Sequence, residues 1–373
     1  MEEKSTAKSK TGKVDFIMLM IIICLLLFGL IMLFSASSPR ALKSGNIYSI
    51  IVKQGLISLL GCLGMIATAN YDYHNYKKLS GLLLLGTIFV MYAVPFIGIV
   101  AKGATRQISI GPISVQPSEF AKFILVIYFA VRFSNSKTSD LRNDKKNLGA
   151  CCGIILVFIV ACALQRHMSA AVVLTLISIM MMMAAGLKMT YVYMMGGIGV
   201  LGFAFMAIFE SYRLDRIRAL LDPFAYSRTI GWQIIQSLYA VGSGGLFGLG
   251  LGQSRQKYQY LPEAHNDYIY AIICEELGFV GAMAVILMFV FFVWRGMSIA
   301  LNARDRLGML MAFGITSIIG VQMLINIGVV LSVLPSTGMQ LPFFSAGGTS
   351  MIAMLGGMGV LLNISRTSRI KKL

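Results

Sequence analysis

The chain has 373 residues, 57% of them hydrophobic and 13% charged, with a formal net charge of +17. That balance excludes a disordered chain and an ordinary soluble domain, and it points to a polytopic membrane protein. The basic residues sit in the gaps between apolar runs rather than on one stripe, so they read as membrane topology and no nucleic-acid surface is expected.

A polar stretch to Lys13 leads into an apolar run of spanning length without a small-residue cleavage site, which predicts a retained first span. On a template of roughly 20 apolar residues per spanning helix, ten runs follow in order: about 16–36, 48–69, 79–100, 118–133, 148–164, 169–187, 190–210, 267–294, 307–331 and 348–364. The expected fold is an all-α polytopic membrane protein of ten transmembrane helices, with a long extracytoplasmic loop, about 211–266, between helices 7 and 8. Residues 1–13 and 366–373 are read as cytoplasmic tails and 14–365 as a single membrane domain. The fourth run is short and opens on polar residues, which suits a helix sheltered by its neighbours. The six cysteines lack disulfide-framework or metal-ligand spacing and read as small core residues.

Lys4, Lys8, Lys10, Lys13, Lys77, Lys78, the cluster from Arg132 to Lys146, Arg295, Arg304, Arg306 and the basic C-terminus all fall on one side if both termini are cytoplasmic. The long outer loop breaks the charge rule with Arg213, Arg216, Arg218, Arg228, Arg255 and Lys257. These are either solvated surface on a translocated loop or an anion site, since guanidinium grips phosphate through paired hydrogen bonds. The same loop holds GSGGLFGLGLG, Gly242 to Gly252, which lacks the Lys-Ser/Thr and βαβ setting of a nucleotide loop and suits close helix packing or a re-entrant turn.

Polar residues converge on the outer ends of the spans: Lys102, Arg106, Gln116, Ser118, Glu119 and Lys122; Glu263, His265 and Asp267; Gln340, Ser345, Thr349 and Ser350. One outward-facing polar cavity would satisfy them all. Glu119 and Lys122, three apart on a helix, can pair, either to lock helices or to shape the cavity wall. Asp267 opens the eighth run near water, where a carboxylate can stay ionised and accept a proton from a hydroxyl; the competing role is an N-cap. Glu275 and Glu276, about 12 to 14 Å further along that helix, read as structural hydrogen-bond partners. The three histidines are scattered and predict no zinc site. Pro335, Gly338, Pro342, Gly347 and Gly348 break helix within Asn326 to Ser350, giving irregular backbone that membrane physics allows only in protein or along a cavity.

At these residues the chain resembles the SEDS family (shape, elongation, division and sporulation), and its pattern is most similar to the division and spore-cortex members. The matching stretches are Ser35 to Ser37, Lys102 to Lys122, Gly231 to Gly252, Leu261 to Gly278 and Asn326 to Ser350. The resemblance implies an inverting peptidoglycan glycosyltransferase of the bacterial cytoplasmic membrane. Its substrate would be lipid II, the undecaprenyl-pyrophosphate-linked disaccharide-pentapeptide, polymerised at the outer face, and its partner a class B penicillin-binding protein amid membrane lipids. The family's HxDF/Y pattern falls on His265, Asn266, Asp267 and Tyr268, which gives Asp267 the role of general base.

Lys102, Arg106, Glu119, Lys122, Arg213, Arg216, Glu263, His265 and Ser345 are the expected substrate-binding residues, with Arg213, Arg216, Lys102 and Arg106 facing the leaving pyrophosphate. No metal ligands are identified, although a divalent cation, Mg or Mn, could share that task. Two departures from the family pattern stand out: Arg106-Gln107 where Arg-Trp is usual, and Arg166-His167 where Pro-Asp is common. The second is expected to add positive charge at the outer mouth. A lipid II flippase is the alternative, and a scaffold that only recruits the partner is a third. No clear inverted repeat supports a transporter.

Overall fold

The computed structural model describes residues 12–43, 45–101, 104–110, 113–135, 145–209, 211–258 and 260–368. Each of the ten apolar runs lies on a helix: α1 (Phe16–Lys43), α2 (Ser49–Asn70), α3 (Tyr76–Ile97), α4 (Pro117–Ser134), α5 (Lys145–Leu164), α6 (Met168–Ala184), α7 (Met189–Phe209), α10 (Ile269–Leu301), α11 (Arg306–Val330) and α12 (Gly348–Thr367). Among the described residues, seven helices are long and apolar enough to cross a membrane: α1, α2, α3 with the turn before it, α5, α10, α11 and α12. α12 packs along α2, where the Thr68 hydroxyl donates to the Gly356 carbonyl at 2.9 Å. α10 packs on α11, and α4 on α3 and α11, so the short fourth helix is sheltered as its sequence suggests.

The all-α expectation needs one correction. Between α3 and α4 the chain forms a small antiparallel meander of β1 (Ile99–Ala101), β2 (Ala104–Ile110) and β3 (Ile113–Val115), in which Ile99 faces Gln107 and Ser109 faces Ser114. Thr105, Ile108 and Val115 are β-branched residues suited to this pleated surface. Pro117 then starts α4 at a position where its missing N–H has no intrahelical partner to lose.

The segment expected as one long loop carries two helices, α8 (Ser211–Leu221) and α9 (Ile230–Ser243). α1 runs on past the predicted end, through Pro39 to Lys43, and so carries Arg40 on its last turns. α10 is broken at Gly278, whose φ of 64° and ψ of −165° lie outside helical geometry and favour a residue without a Cβ.

Candidate active site

The irregular chain before α10 and the irregular chain before α12 meet side by side, and this contact presents Asp267. Three successive carbonyls are held: His265 by the Ala346 N–H at 3.1 Å, Asn266 by the Ser345 hydroxyl, and Asp267 by the Asn326 amide at 2.8 Å. Asn326 donates also to the Met339 carbonyl at 2.7 Å, so one side chain of α11 spaces the two segments. Buried backbone carbonyls need such partners, and using all three fixes the height and direction of the half-buried Asp267 side chain. The N-cap position of α10 belongs to its neighbour Tyr268, so the capping role considered for Asp267 is not the one its position gives it.

Asp267 lines a cavity of about 610 Å³. Of the expected substrate-binding residues, Arg106, Glu119, Lys122, Glu263 and His265 share this lining. Lys122 Nζ donates to Glu119 Oε2 at 2.8 Å, with both side chains largely buried, and the Ser350 hydroxyl also bonds Glu119. Across the cavity Arg40 stands 3.7 Å from Glu263 and 3.3 Å from His265 Nε2. Guanidinium can only donate, so in this arrangement Nε2 is the acceptor nitrogen of the imidazole. Glu263 also accepts from the Asn266 amide, which joins Arg40 to the segment carrying Asp267.

Two of the expected residues stand elsewhere, and two cannot be placed in the described structure. Ser345 is outside the lining: its hydroxyl is engaged with the Asn266 carbonyl and the Leu341 N–H, so it builds the Asp267 support rather than facing a ligand. Arg216 is likewise outside the lining, because its guanidinium donates to the Ser336 carbonyl and ties α8 to the segment before α12. Lys102 and the side chain of Arg213 lie outside the described residues.

The expectation that Arg166-His167 adds charge at the mouth fails for His167. Arg166 is exposed and is not among the lining residues. His167 does line the cavity but is only 7% exposed, with Ser118 Oγ 3.3 Å from Nδ1 and the Gln116 amide nearby. Burial, reinforced by the Arg106 and Lys122 charges, pushes its pKa down to about 4, so it is neutral at neutral pH. Unfolding returns it to about 6.5, and between these values the unfolded chain binds the extra proton. Stability linked to His167 is therefore complete above pH 6.5 and is lost as pH falls toward 4. Thermal unfolding in detergent should show a loss on the order of 1–3 kcal/mol across that window. His167→Gln should flatten it.

Arg40, Lys53, Gln54 and Gln107 also line the cavity and were not singled out from sequence as ligand contacts. The usable signal was topological: Arg40 and Lys53 are cations at the end of the bundle that the charge rule leaves poor in them. Among the described lining residues, the cations Arg40, Lys53, Arg106 and Lys122 outnumber the carboxylates Glu119, Glu263 and Asp267, which gives the cavity wall a slight excess of positive charge.

The family model described as cell cycle protein (FtsW, RodA, SpoVE) matches residues 16–370. Stage V sporulation protein E of Bacillus subtilis (strain 168) is 39% identical over 364 residues, covering 97% of this chain and 99% of that protein. The probable peptidoglycan glycosyltransferase FtsW of Geobacter sp. (strain M18) is 40% identical over 359 residues, covering 95% and 97%. Two solved structures share the fold. One, described as structural coordination of polymerization and crosslinking by a peptidoglycan synthase complex, aligns at TM-score 0.78 and 22% identity over 96% of this chain and 99% of that one. The other, the rod shape determining protein RodA of Thermus thermophilus, aligns at TM-score 0.72 and 22% identity over 96% and 98%. With a family model spanning nearly its full length and relatives near 40% identity, the chain belongs to the SEDS family.

Proposed function

We propose that this protein is a peptidoglycan glycosyltransferase that polymerises lipid II at the outer face of the bacterial cytoplasmic membrane. The relatives named as probable peptidoglycan glycosyltransferases support the reaction class. The observation that carries it is the clamped Asp267 opening into a cavity in which cations outnumber carboxylates. The acceptor sugar's 4-hydroxyl attacks C1 of the donor sugar, and Asp267 takes the hydroxyl proton as the new C1–O bond forms. The bond from C1 to the pyrophosphate-lipid breaks on the opposite face, which inverts the anomeric centre and gives a β-1,4 link. Arg106 is the expected cation still on the cavity wall, and with Lys122, Arg40 and Lys53 it would stabilise charge on pyrophosphate.

Among the described residues no group of three His, Cys, Asp or Glu side chains could hold a metal ion. A Mg or Mn ion, if used, would be held by pyrophosphate oxygens with at most one or two carboxylates of the cavity wall. The topology proposed is ten crossings with both termini cytoplasmic and the cavity outward. A class B penicillin-binding protein is the proposed partner, in keeping with the synthase complex that shares the fold.

A flippase would need the end opposite the cavity to open. That end carries polar clasps between elements: Arg295 to Asp15 at 2.7 Å, the Tyr73 hydroxyl to Asp305 at 2.9 Å, and Asn363 to the Ala69 carbonyl at 2.8 Å. This weighs toward chemistry on one side of the membrane. Purified protein given labelled lipid II, alone and with its partner, should yield glycan polymer; transport across vesicles without polymer in either condition would overturn the assignment.

A further inference from the structure

The glycine-rich stretch Gly242 to Gly252 is not used by the mechanism above, and its surroundings are unusual for an external loop. From Thr229 to Ser254 the sequence contains no Asp, Glu, Lys, Arg or His. α9 runs beside α10, and its Ser237 hydroxyl donates to the Val330 carbonyl at the end of α11, 2.8 Å away. The chain then continues past that level for the rest of α9. Its tip pairs with the break in α10: Leu249 N–H donates to the Glu275 carbonyl and Gly250 N–H to the Glu276 carbonyl, both at 3.0 Å. In return, Phe279 N–H donates to the Gly245 carbonyl at 2.9 Å and Val280 N–H to the Leu246 carbonyl at 3.1 Å. The break at Gly278 thus frees helix groups that the tip satisfies. A Cβ at Gly248 would stand 2.2 Å from the Glu276 carbonyl oxygen, so the contact requires glycine.

At about 1.5 Å per residue the contact lies roughly 12 to 20 Å along α10 beyond Asp267. That is inside the bilayer if α10 spans it. Non-helical backbone at such depth survives only where its polar groups are paired, and the return leg is paired as well. Arg255 N–H donates to Glu275 Oε1 at 2.9 Å, Gln256 N–H to Glu275 Oε2 at 3.3 Å, and Ser254 N–H to Glu276 Oε1 at 3.3 Å. Two carboxylates that looked costly in an apolar helix are the acceptors this leg needs. The tip side chains, by contrast, are exposed: Leu246, Phe247 and Leu251 at 65%, 80% and 54%, beside Phe279 and Val280 of α10 at 59% and 54%.

From this geometry we infer that residues 230–257 form a re-entrant hairpin that dips into the membrane from the cavity side, with Leu246, Phe247 and Leu251 in contact with lipid acyl chains. The occupant is hydrocarbon because the exposed tip continues the exposed apolar face of a spanning helix. The inference rests on α10 as a spanning helix and not on the reaction.

The chain contains two tryptophans, Trp232 and Trp294, which makes a fluorescence test direct. In a Trp232→Phe/Trp294→Phe background, Phe247→Trp and Leu251→Trp are each placed in liposomes. Their emission is measured with phosphatidylcholine brominated along its acyl chains and with aqueous iodide. Both probes should emit at short wavelength and lose most of their signal to bromolipid while resisting iodide. Quenching by iodide but not bromolipid would put the loop in water, and quenching by neither would mean that protein, such as a second copy, covers the tip. Either result overturns the hairpin.

Discussion

Asp267→Asn is expected to abolish glycan polymer from lipid II while leaving lipid II binding intact. The amide has nearly the shape of the carboxylate but cannot accept a proton at neutral pH, so the loss falls on the proton-transfer step, about 10²- to 10⁴-fold in kcat. The three clamps on residues 265–267 engage backbone carbonyls, which the substitution leaves in place. KM should therefore change little, the signature of an interaction made in the transition state. The check is a single-turnover assay with labelled lipid II beside a binding measurement on the same preparation. Polymer at the wild-type rate would move the base elsewhere, with Glu263 and Glu119 the other carboxylates on the cavity wall. Lost binding together with lost polymer would make Asp267 an architectural residue.

The sequence carried the helices well, for a physical reason. A spanning helix must be long and continuously apolar, so ten runs could be read and each lies on a helix. A carboxylate at the edge of such a run conflicts with its surroundings, which made Asp267, Glu275 and Glu276 visible. What stayed hidden depends on long-range pairing. The meander from Ile99 to Val115 is too short to print a period, and Arg40 and Lys53 reach the cavity only because α1 overruns its apolar run and α2 packs beside α12. Ser345 and Arg216 were read as ligand contacts because they are polar and near the right motif, yet the backbone carbonyls of Asn266 and Ser336 engage them. Sequence shows which side chains can donate hydrogen bonds, but not which irregular backbone will need them.

Lys257→Met is expected to cost the fold about 3–5 kcal/mol, the usual effect of stranding one member of a buried ion pair. Lys257 and Glu276 are 3% and 0% exposed in their side chains and 2.9 Å apart. The ammonium also donates to the Gly252 carbonyl at 2.6 Å and the Ser35 hydroxyl at 3.1 Å, so its three protons serve the hairpin, α10 and α1 together. Ser35 in turn donates to Glu276 at 2.6 Å. Removing the lysine leaves a carboxylate in a buried site with hydroxyl and backbone donors but no countercharge. Lys257→Met/Glu276→Gln should recover most of the loss, because a neutral amide oxygen keeps an acceptor for Ser35 and Ser254 without a charge to desolvate. Thermal unfolding of the two single variants and the double variant measures this coupling. The same variants should raise KM for lipid II, since Arg40 lies little more than one turn beyond Ser35 on α1 and faces Glu263 and His265 across the cavity. A Lys257→Met protein that melts with the wild type would show that water already reaches this pair, and a double variant no more stable than the singles would show that the lysine acts by packing rather than by charge.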